Sequence, residues 1–172
     1  NVINFLLSSK LRKVTNNTKL ERTIKSEDEL GYRNKTDIPL IYENGKNHLA
    51  NYFRGSNNLF KVTDLIIENE YIIKALKDII NILNETNYKA FNPRTKKGEI
   101  YSLSVRSNLE GKVQLMINTK RTLNLNSFVN KLNQANKDIV SIYQNTILRY
   151  SNNTDVYNGK LELVSGSKYL EM

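Results

Sequence analysis

The sequence contains no cysteine, and no glycine- or serine-rich stretch divides its 172 residues. The lack of cysteine excludes disulfides, a thiolate nucleophile and a cysteine-ligated metal within this chain. No apolar run approaches the roughly 18–20 residues that cross a bilayer, and the first residues lack the basic region and cleavage site of a secretory signal. We therefore expect a cytoplasmic protein with no membrane contact. Because the chain begins with Asn1 rather than methionine, we also expect a piece of a longer protein.

The charge balance favours an acidic polymer as a partner. Lysine and arginine number 26 against 17 acidic residues, which gives a net charge of +9. Neutralising phosphates with such residues releases counterions, so RNA is the natural candidate. Lysine, asparagine, isoleucine and tyrosine are all abundant, as expected from a genome rich in A and T, and codon usage accounts for part of the charge. The hydrophobic fraction of 39% and the length predict one globular domain.

The first folded element is predicted to be a hairpin. Apolar residues alternate over residues 38–42, residues 43–46 contain an Asn-Gly turn, and residues 49–53 supply the return strand. Proline has no N–H to donate, so Pro39 predicts that the first strand lies at a sheet edge or that Pro39 lies at a strand start.

An amphipathic helix is predicted next. Apolar residues recur at helical spacing over residues 66–83, with Thr63 or Asp64 as the N-cap and with Glu68 and Glu70 near the positive helix end. Both acidic residues would stabilise the start of the helix.

The second half of the chain shows the patterns of a hairpin, a second helix and two further strands, over residues 100–106, 113–118, 125–135, 139–147 and 161–164. Asn124 or Asn126 is the expected cap of the second helix. This order predicts an α+β fold, in which helices pack on one face of an antiparallel sheet as a ferredoxin-like sandwich preceded by the hairpin. We expect a connector with a short helix over residues 1–30 and one domain over residues 31–172.

Several segments resemble the central domain of the RNA uridine C5-methyltransferase family. The signature is Gly31-Tyr32-Arg33-Asn34-Lys35, followed by Ile38-Pro39-Leu40. Further similar segments follow in the family's order over about residues 26–171, among them Lys97-Gly98, Gly111-Lys112-Val113, Ser141-Ile142-Tyr143-Gln144-Asn145, Ser151-Asn152-Asn153-Thr154 and Tyr169-Leu170-Glu171.

The resemblance implies a role in RNA recognition without the chemistry of methyl transfer. In the family, a separate domain binds S-adenosylmethionine and carries a cysteine nucleophile, and that domain would begin after Met172. We therefore expect the parent enzyme to bind the cofactor outside this chain and the chain alone to be inactive. Its implied partners are ribosomal or transfer RNA, whose flipped uridine it would help to place, and the C-terminal methyltransferase domain of the parent.

One departure from the family concerns an iron–sulfur cluster. Many members place a cluster-binding cysteine just before the central helix, where this chain has Leu65-Ile66-Ile67. No cluster is expected here, and this stretch is predicted to extend the apolar face of the helix.

The candidate RNA-binding residues are Tyr32, Arg33, Lys35, Arg54 and Arg106. By resemblance, Arg33 and Lys35 occupy positions near the family's RNA cleft. Alternatively, Arg33 ties its loop to backbone carbonyls and Lys35 is solvated. Arg54 and Arg106 are predicted at strand ends, where a long cation reaches beyond the sheet, and Tyr32 offers a ring for base stacking.

The remaining polar and aromatic candidates favour structural readings. We expect the basic loop 94–97 to be solvated, Phe53 to lie in the core, and Gln144 and Asn145 to pair with neighbouring backbone. His48, the only histidine, is assigned to the surface. Two further functions stay open at this point, namely a self-contained RNA-binding or ribosome-associated module without catalysis, and a degenerate interaction domain without RNA affinity.

Overall fold

A computed structural model of the chain describes residues 24, 26, 29–147 and 159–171. In this part, seven strands and two helices are present: β1 (Lys35–Glu43), β2 (Lys46–Tyr52), β3 (Leu59–Lys61), α1 (Glu70–Leu83), β4 (Ile100–Ser107), β5 (Val113–Thr119), α2 (Asn126–Ala135), β6 (Ile139–Thr146) and β7 (Lys160–Gly166). The connector predicted over residues 1–30 and the similar segment at 151–154 lie almost wholly outside the described residues.

The strands form one sheet in the order β3-β2-β1-β4-β5-β6-β7. Neighbouring strands are antiparallel, except that β5 and β6 run parallel, with α2 as the crossover between them. The predicted α+β class is confirmed.

Both helices pack on the same face of the sheet. Alternate residues of β4 and β5, such as Leu103, Val105 and Leu115, are fully buried against apolar side chains of the helices, such as Leu76 and Leu132. Because side chains alternate across a strand, the residues between them project to the opposite side. We call this side, which faces away from the helices, the open face.

The first helix starts later than the periodicity predicts. Its N-cap is Asn69, whose Oδ1 accepts a hydrogen bond from the Ile72 amide at 3.0 Å, so Thr63 and Asp64 are not the cap. The reason lies in pairing with the signature: the Gly31 amide donates to the Ile66 carbonyl at 3.1 Å, and the chain bends at Ile66 and Ile67 instead of forming a helical turn.

The prediction for Leu65-Ile66-Ile67 was therefore wrong. These residues precede the helix instead of extending its apolar face, and Ile66 is exposed. The cap predicted for the second helix was also wrong: Leu125 holds the N-cap position without a side-chain bond, and Asn124 Oδ1 accepts from the Asn126 amide at 3.2 Å.

The position of Pro39 corrects another prediction. The first strand does not lie at an edge, because β1 sits between β2 and β4, and Pro39 lies inside β1 rather than at its start. Pro39 is the last residue of β1 paired with β4, opposite Ser102, and Leu40 is the first paired with β2, opposite Leu49. The missing N–H thus falls where the strand changes its hydrogen-bonding partner, which is why an interior strand tolerates proline here.

Asn47 fastens the first hairpin to the helix layer. Its side chain is buried; Nδ2 donates to the Tyr88 carbonyl at 3.0 Å, and Oδ1 accepts from the Ala90 amide at 2.7 Å. Its backbone amide donates to Asn84 Oδ1 at 2.7 Å. The hairpin, the end of α1 and the segment leading to β4 are therefore held by one residue.

A carboxylate joins α1, β5 and the start of β6, and it makes stability depend on pH. Asp138 accepts from Lys112 Nζ at 3.2 Å and from Lys74 Nζ at 3.3 Å. These hydrogen bonds lower the pKa of the Asp138 carboxyl. A lowered folded-state pKa contributes stability above the ordinary aspartate pKa of about 3.9, and this contribution is lost as pH falls through the folded value.

We expect Asp138→Asn to destabilise the protein at pH 7 by less than about 1 kcal/mol, because the ion pairs are partly exposed. The difference from wild type should shrink as the pH is lowered below about 4. Urea unfolding at several pH values measures this, with the exposed Asp64→Asn as the matched control. A difference that does not change with pH would contradict the assignment.

Candidate nucleic-acid interface

The signature is held at one end of the sheet by its backbone. The Arg33 amide donates to the Ile67 carbonyl at 2.9 Å, and the Arg33 carbonyl accepts from the Asn69 amide at 3.0 Å. The Ser107 amide at the end of β4 donates to the Asn34 carbonyl at 2.9 Å. The backbone of the signature is therefore held beside the end of β4. We call this region the signature end.

Arg33 lies beside a buried carboxylate. Its guanidinium is 3.7 Å from Glu68 Oε1, which also accepts from Thr36 Oγ1 at 3.2 Å. Glu68 is only 5% exposed, whereas about half of the Arg33 side chain is exposed. This contact differs from the tie to backbone carbonyls that we considered as the structural alternative. Arg33 neutralises a buried charge and still presents part of its guanidinium to solvent.

The structure brings Lys35 and Arg106 together. They are directly opposite each other in the β1–β4 pairing and project to the open face. Arg106 is exposed, while Lys35 is half-buried and 3.4 Å from the Asp37 carboxylate. Gln114 of β5 is opposite Arg106 in turn, so a polar row crosses the open face at the signature end.

A groove of about 420 Å³ lies beside this row, and we call it the open-face groove. Arg106, Gln114 and Met116 on the sheet contribute to its lining, as do Lys168 and Tyr169 of the segment after β7. Two cations, one amide and an aromatic ring that is 70% exposed thus converge on one concave surface. These are the groups that bind phosphates, base edges and base faces in single-stranded RNA.

The segment after β7 is fixed across the open face. Tyr143 Oη donates to the Lys168 carbonyl at 2.6 Å, and Asn108 Nδ2 donates to the Glu171 carbonyl at 2.8 Å. Because Asn108 directly follows β4, these contacts place residue 171 at the signature end.

The floor of the open face is polar even where it is buried. Asn118 Nδ2 donates to Ser102 Oγ at 3.0 Å and to Ser104 Oγ at 3.1 Å, and Asn145 Nδ2 donates to Asn118 Oδ1 at 2.8 Å. Gln144 projects to the other face and bonds the Leu123 backbone through both amide atoms. The structural reading of Asn145 and Gln144 is supported, although Asn145 pairs with a side chain.

The remaining candidate residues lie outside the lining of the open-face groove. Tyr32 is 60% exposed within the signature, and Arg54 is exposed in the turn after β2, outside the lining of the open-face groove. The prediction that Phe53 is core was wrong, because this side chain is 55% exposed. His48, which was assigned to the surface, is half-buried in β2.

Sequence reasoning missed Gln114, Lys168 and Tyr169 as lining residues of the open-face groove. The alternation in β5 marks Gln114 as facing away from the core, but the pairing of β5 with β4 decides which cation lies beside it. Lys168 and Tyr169 follow the last strand, and nothing in their own pattern indicates that this segment crosses the sheet.

Two kinds of feature are absent from the part of the chain that the structure describes. The described residues contain no group of three or more histidine, cysteine, aspartate or glutamate side chains arranged to hold a metal ion. They also contain no helix of the length and apolarity needed to span a membrane.

Comparison with known proteins connects the chain to RNA-modifying enzymes. No family model matches it. A protein of Fusobacterium nucleatum named as an uncharacterized RNA methyltransferase is 29% identical over 144 residues, which cover 81% of this chain and 31% of that protein. A Clostridium tetani protein of the same description is 26% identical over 152 residues, covering 87% of this chain and 32% of that protein. The predicted resemblance to RNA methyltransferases is confirmed. The chain spans about a third of the length of these relatives.

A solved structure shares the fold. The crystal structure of Pyrococcus abyssi tRNA (uracil-54, C5)-methyltransferase in complex with S-adenosyl-L-homocysteine matches with a TM-score of 0.58 and 19% sequence identity. The match covers 81% of this chain and 32% of that chain. The architecture of the sheet and helices is therefore shared with part of an RNA methyltransferase.

Proposed function

We propose that this chain is the central, RNA-recognition domain of an S-adenosylmethionine-dependent RNA uracil-C5-methyltransferase that acts on ribosomal or transfer RNA in the cytoplasm. The observation that carries the proposal is the similarity of more than four-fifths of this chain to about a third of two proteins named as RNA methyltransferases. The fold shared with a tRNA (uracil-54, C5)-methyltransferase supports the same assignment.

The open-face groove supplies the binding chemistry in this proposal. Arg106 and Lys168 hold phosphates of the RNA through charge-assisted hydrogen bonds, Gln114 reaches a base edge, and Tyr169 stacks on a base. Lys35 adds a third cation next to Arg106. The chain holds RNA and leaves the methyl transfer to a separate cofactor-binding domain.

The geometry also suggests how RNA reaches that domain. The Glu171 carbonyl accepts a hydrogen bond from Asn108 at the signature end. Asn108 follows Arg106 closely in the chain, and Arg106 pairs with Lys35 of β1. A catalytic domain joined after Met172 would therefore start beside the cations of the open-face groove. RNA held there would present a flipped uridine to the neighbouring active site, where extrusion of the base costs a few kcal/mol.

RNA binding by the chain as a function of salt tests this proposal. We expect a fluorescein-labelled single-stranded RNA of about 20 nucleotides to raise its anisotropy with the 172-residue chain. The logarithm of the association constant should fall linearly with the logarithm of salt concentration, with a slope of about −0.7 for each phosphate neutralised. No methyl group should pass from labelled S-adenosylmethionine to the RNA. Absence of binding at about 50 mM salt would point to an interaction domain instead, and methyl transfer by the chain alone would refute its non-catalytic role.

A further inference from the structure

A second groove lies at the other end of the sheet. Its volume is about 430 Å³, and its lining includes Tyr42, Phe53, Asn58, Phe91 and Arg94. We call it the aromatic groove. Tyr42 is seven residues along β1 from Lys35, which corresponds to about 23 Å in an extended strand. The aromatic groove is thus a separate surface from the open-face groove.

Aromatic rings are presented to solvent at this groove. Phe53 is 55% exposed and its ring centroid is 4.7 Å from that of Phe60, which is also exposed. Tyr42 is exposed on the same groove. A folded protein rarely leaves several large aromatic side chains at one concave surface without a ligand that covers them.

One cation lines the groove, and two more lie next to its rings. Arg94 lines it, with one guanidinium nitrogen donating to Asn58 Oδ1 at 3.1 Å. Lys89 and Lys120 are outside the lining, but Lys89 Nζ lies 5.0 Å from the centre of the Tyr42 ring, and Lys120 Nζ lies 5.1 Å from the centre of the Phe91 ring. No acidic side chain in the described part of the chain lines the groove. Exposed rings and cations together fit a ligand that is both aromatic and anionic.

The wall of the groove that carries Arg94 is a tightly built loop. Asn92 Oδ1 accepts from the amides of Arg94 and Thr95 at 2.9 and 3.1 Å. Gly98 closes the loop with a φ of +90°, and a Cβ atom there would lie 2.2 Å from the Ala90 carbonyl oxygen. A loop fixed in this way loses little conformational freedom when it binds a ligand.

We propose that the aromatic groove binds single-stranded RNA, with a base stacked on Phe53 and a phosphate held by Arg94. This inference rests on the proposed function and adds a second contact, so that one RNA strand reaches the protein at both grooves. Stacking on a ring tolerates any base, because every base has an aromatic face. The aromatic groove therefore adds affinity for unpaired RNA without reading its sequence.

Anisotropy with a fluorescein-labelled oligoadenylate of about 12 nucleotides tests the inference. Phe53→Ala should weaken binding by about 5- to 150-fold, the range for the loss of one base–aromatic stack. Arg94→Gln, which keeps the backbone bond to Asn92, should weaken it by about tenfold or more. Tyr52→Ala is the matched control, since Tyr52 is exposed beside Phe53 but does not line the groove, and it should bind like wild type.

The outcomes separate this inference from the proposed function. One outcome is that Phe53→Ala and Arg94→Gln bind RNA like wild type while loss of Lys35 and Arg106 abolishes binding. In that case the aromatic groove takes another ligand, such as a protein segment, and the inference fails while the proposed function stands. If the wild-type chain binds no RNA, both fail. Weaker binding of the single strand by Phe53→Ala, with unchanged binding of a duplex of equal length, would support stacking on unpaired bases.

Discussion

Asn47→Ala is expected to lower the free energy of unfolding by about 2–4 kcal/mol. The substitution removes both bonds of the buried side chain, to the Tyr88 carbonyl and from the Ala90 amide. The buried Ala90 amide and the partly buried Tyr88 carbonyl then lose their partner, and a buried group left unpaired costs about 1–3 kcal/mol. Urea unfolding followed by circular dichroism measures the change, which should appear as a lower midpoint with an unchanged slope.

Asn57→Ala is the matched control for this change, because Asn57 is exposed and lies on the turn before β3. Its effect should stay within about 0.5 kcal/mol, as for most surface substitutions. Asn47→Asp should be at least as destabilising as Asn47→Ala at pH 7, since it places a carboxylate oxygen against the Tyr88 carbonyl in a buried site. An Asn47→Ala variant as stable as wild type would show that the hairpin is held by other contacts.

The double variant Lys35→Ala, Arg106→Ala is expected to bind single-stranded RNA about 100-fold more weakly at about 0.1 M salt. The two cations are opposite each other on the open face, and a hydrogen bond to a charged group is worth about 1.5–3 kcal/mol, or tenfold or more in affinity. The slope of the logarithm of affinity against the logarithm of salt should shrink by about 1.4, or about 0.7 for each lost phosphate contact.

The double variant Lys77→Ala, Lys137→Ala removes the same charge from the helix side and is the control. Lys77 is exposed on α1, and Lys137 is exposed just after α2. If net charge alone drives binding, both double variants will lose affinity equally. Equal losses would show that RNA does not bind specifically at the open-face groove. A loss confined to the Lys35→Ala, Arg106→Ala variant would place RNA on the open face.

Six of the seven described strands were predictable because local patterns determine them, whereas the short strand β3 was not predicted. The Asn-Gly turn with positive φ at Asn44 and Gly45, and the alternation in β4, indicate hairpins without knowledge of the rest of the fold. The start of α1 was not predictable in this way. The apolar spacing that begins at Ile66 suits a helix, but the backbone of residues 66–69 is hydrogen-bonded to the distant signature and precedes the helix. The prediction from Pro39 was wrong for a similar reason. The order of the strands in the sheet, which is not a local property of the sequence, decides where the missing N–H of proline falls.

The candidate site was predictable only in part. Arg33, Lys35 and Arg106 were named from the signature and from strand ends. The β1–β4 pairing explains why Lys35 and Arg106 are close, whereas Arg33 lies beside Glu68. The aromatic groove was missed because its two walls, around Phe53 and around Arg94, are far apart in sequence. Phe53 was assigned to the core since most phenylalanines are buried, and only its position after the end of β2 exposes it.

Crosslinking tests the central claim most directly. The chain would be bound to single-stranded RNA containing 4-thiouridine and irradiated, and the crosslinked peptides would be identified by mass spectrometry. Peptides that contain Tyr32, Arg106 or Tyr169 should be among those crosslinked, because these residues lie at the signature end or line the open-face groove. Crosslinks confined to α1 and α2, or none above the level seen with excess unlabelled RNA, would contradict the assignment of this surface to RNA.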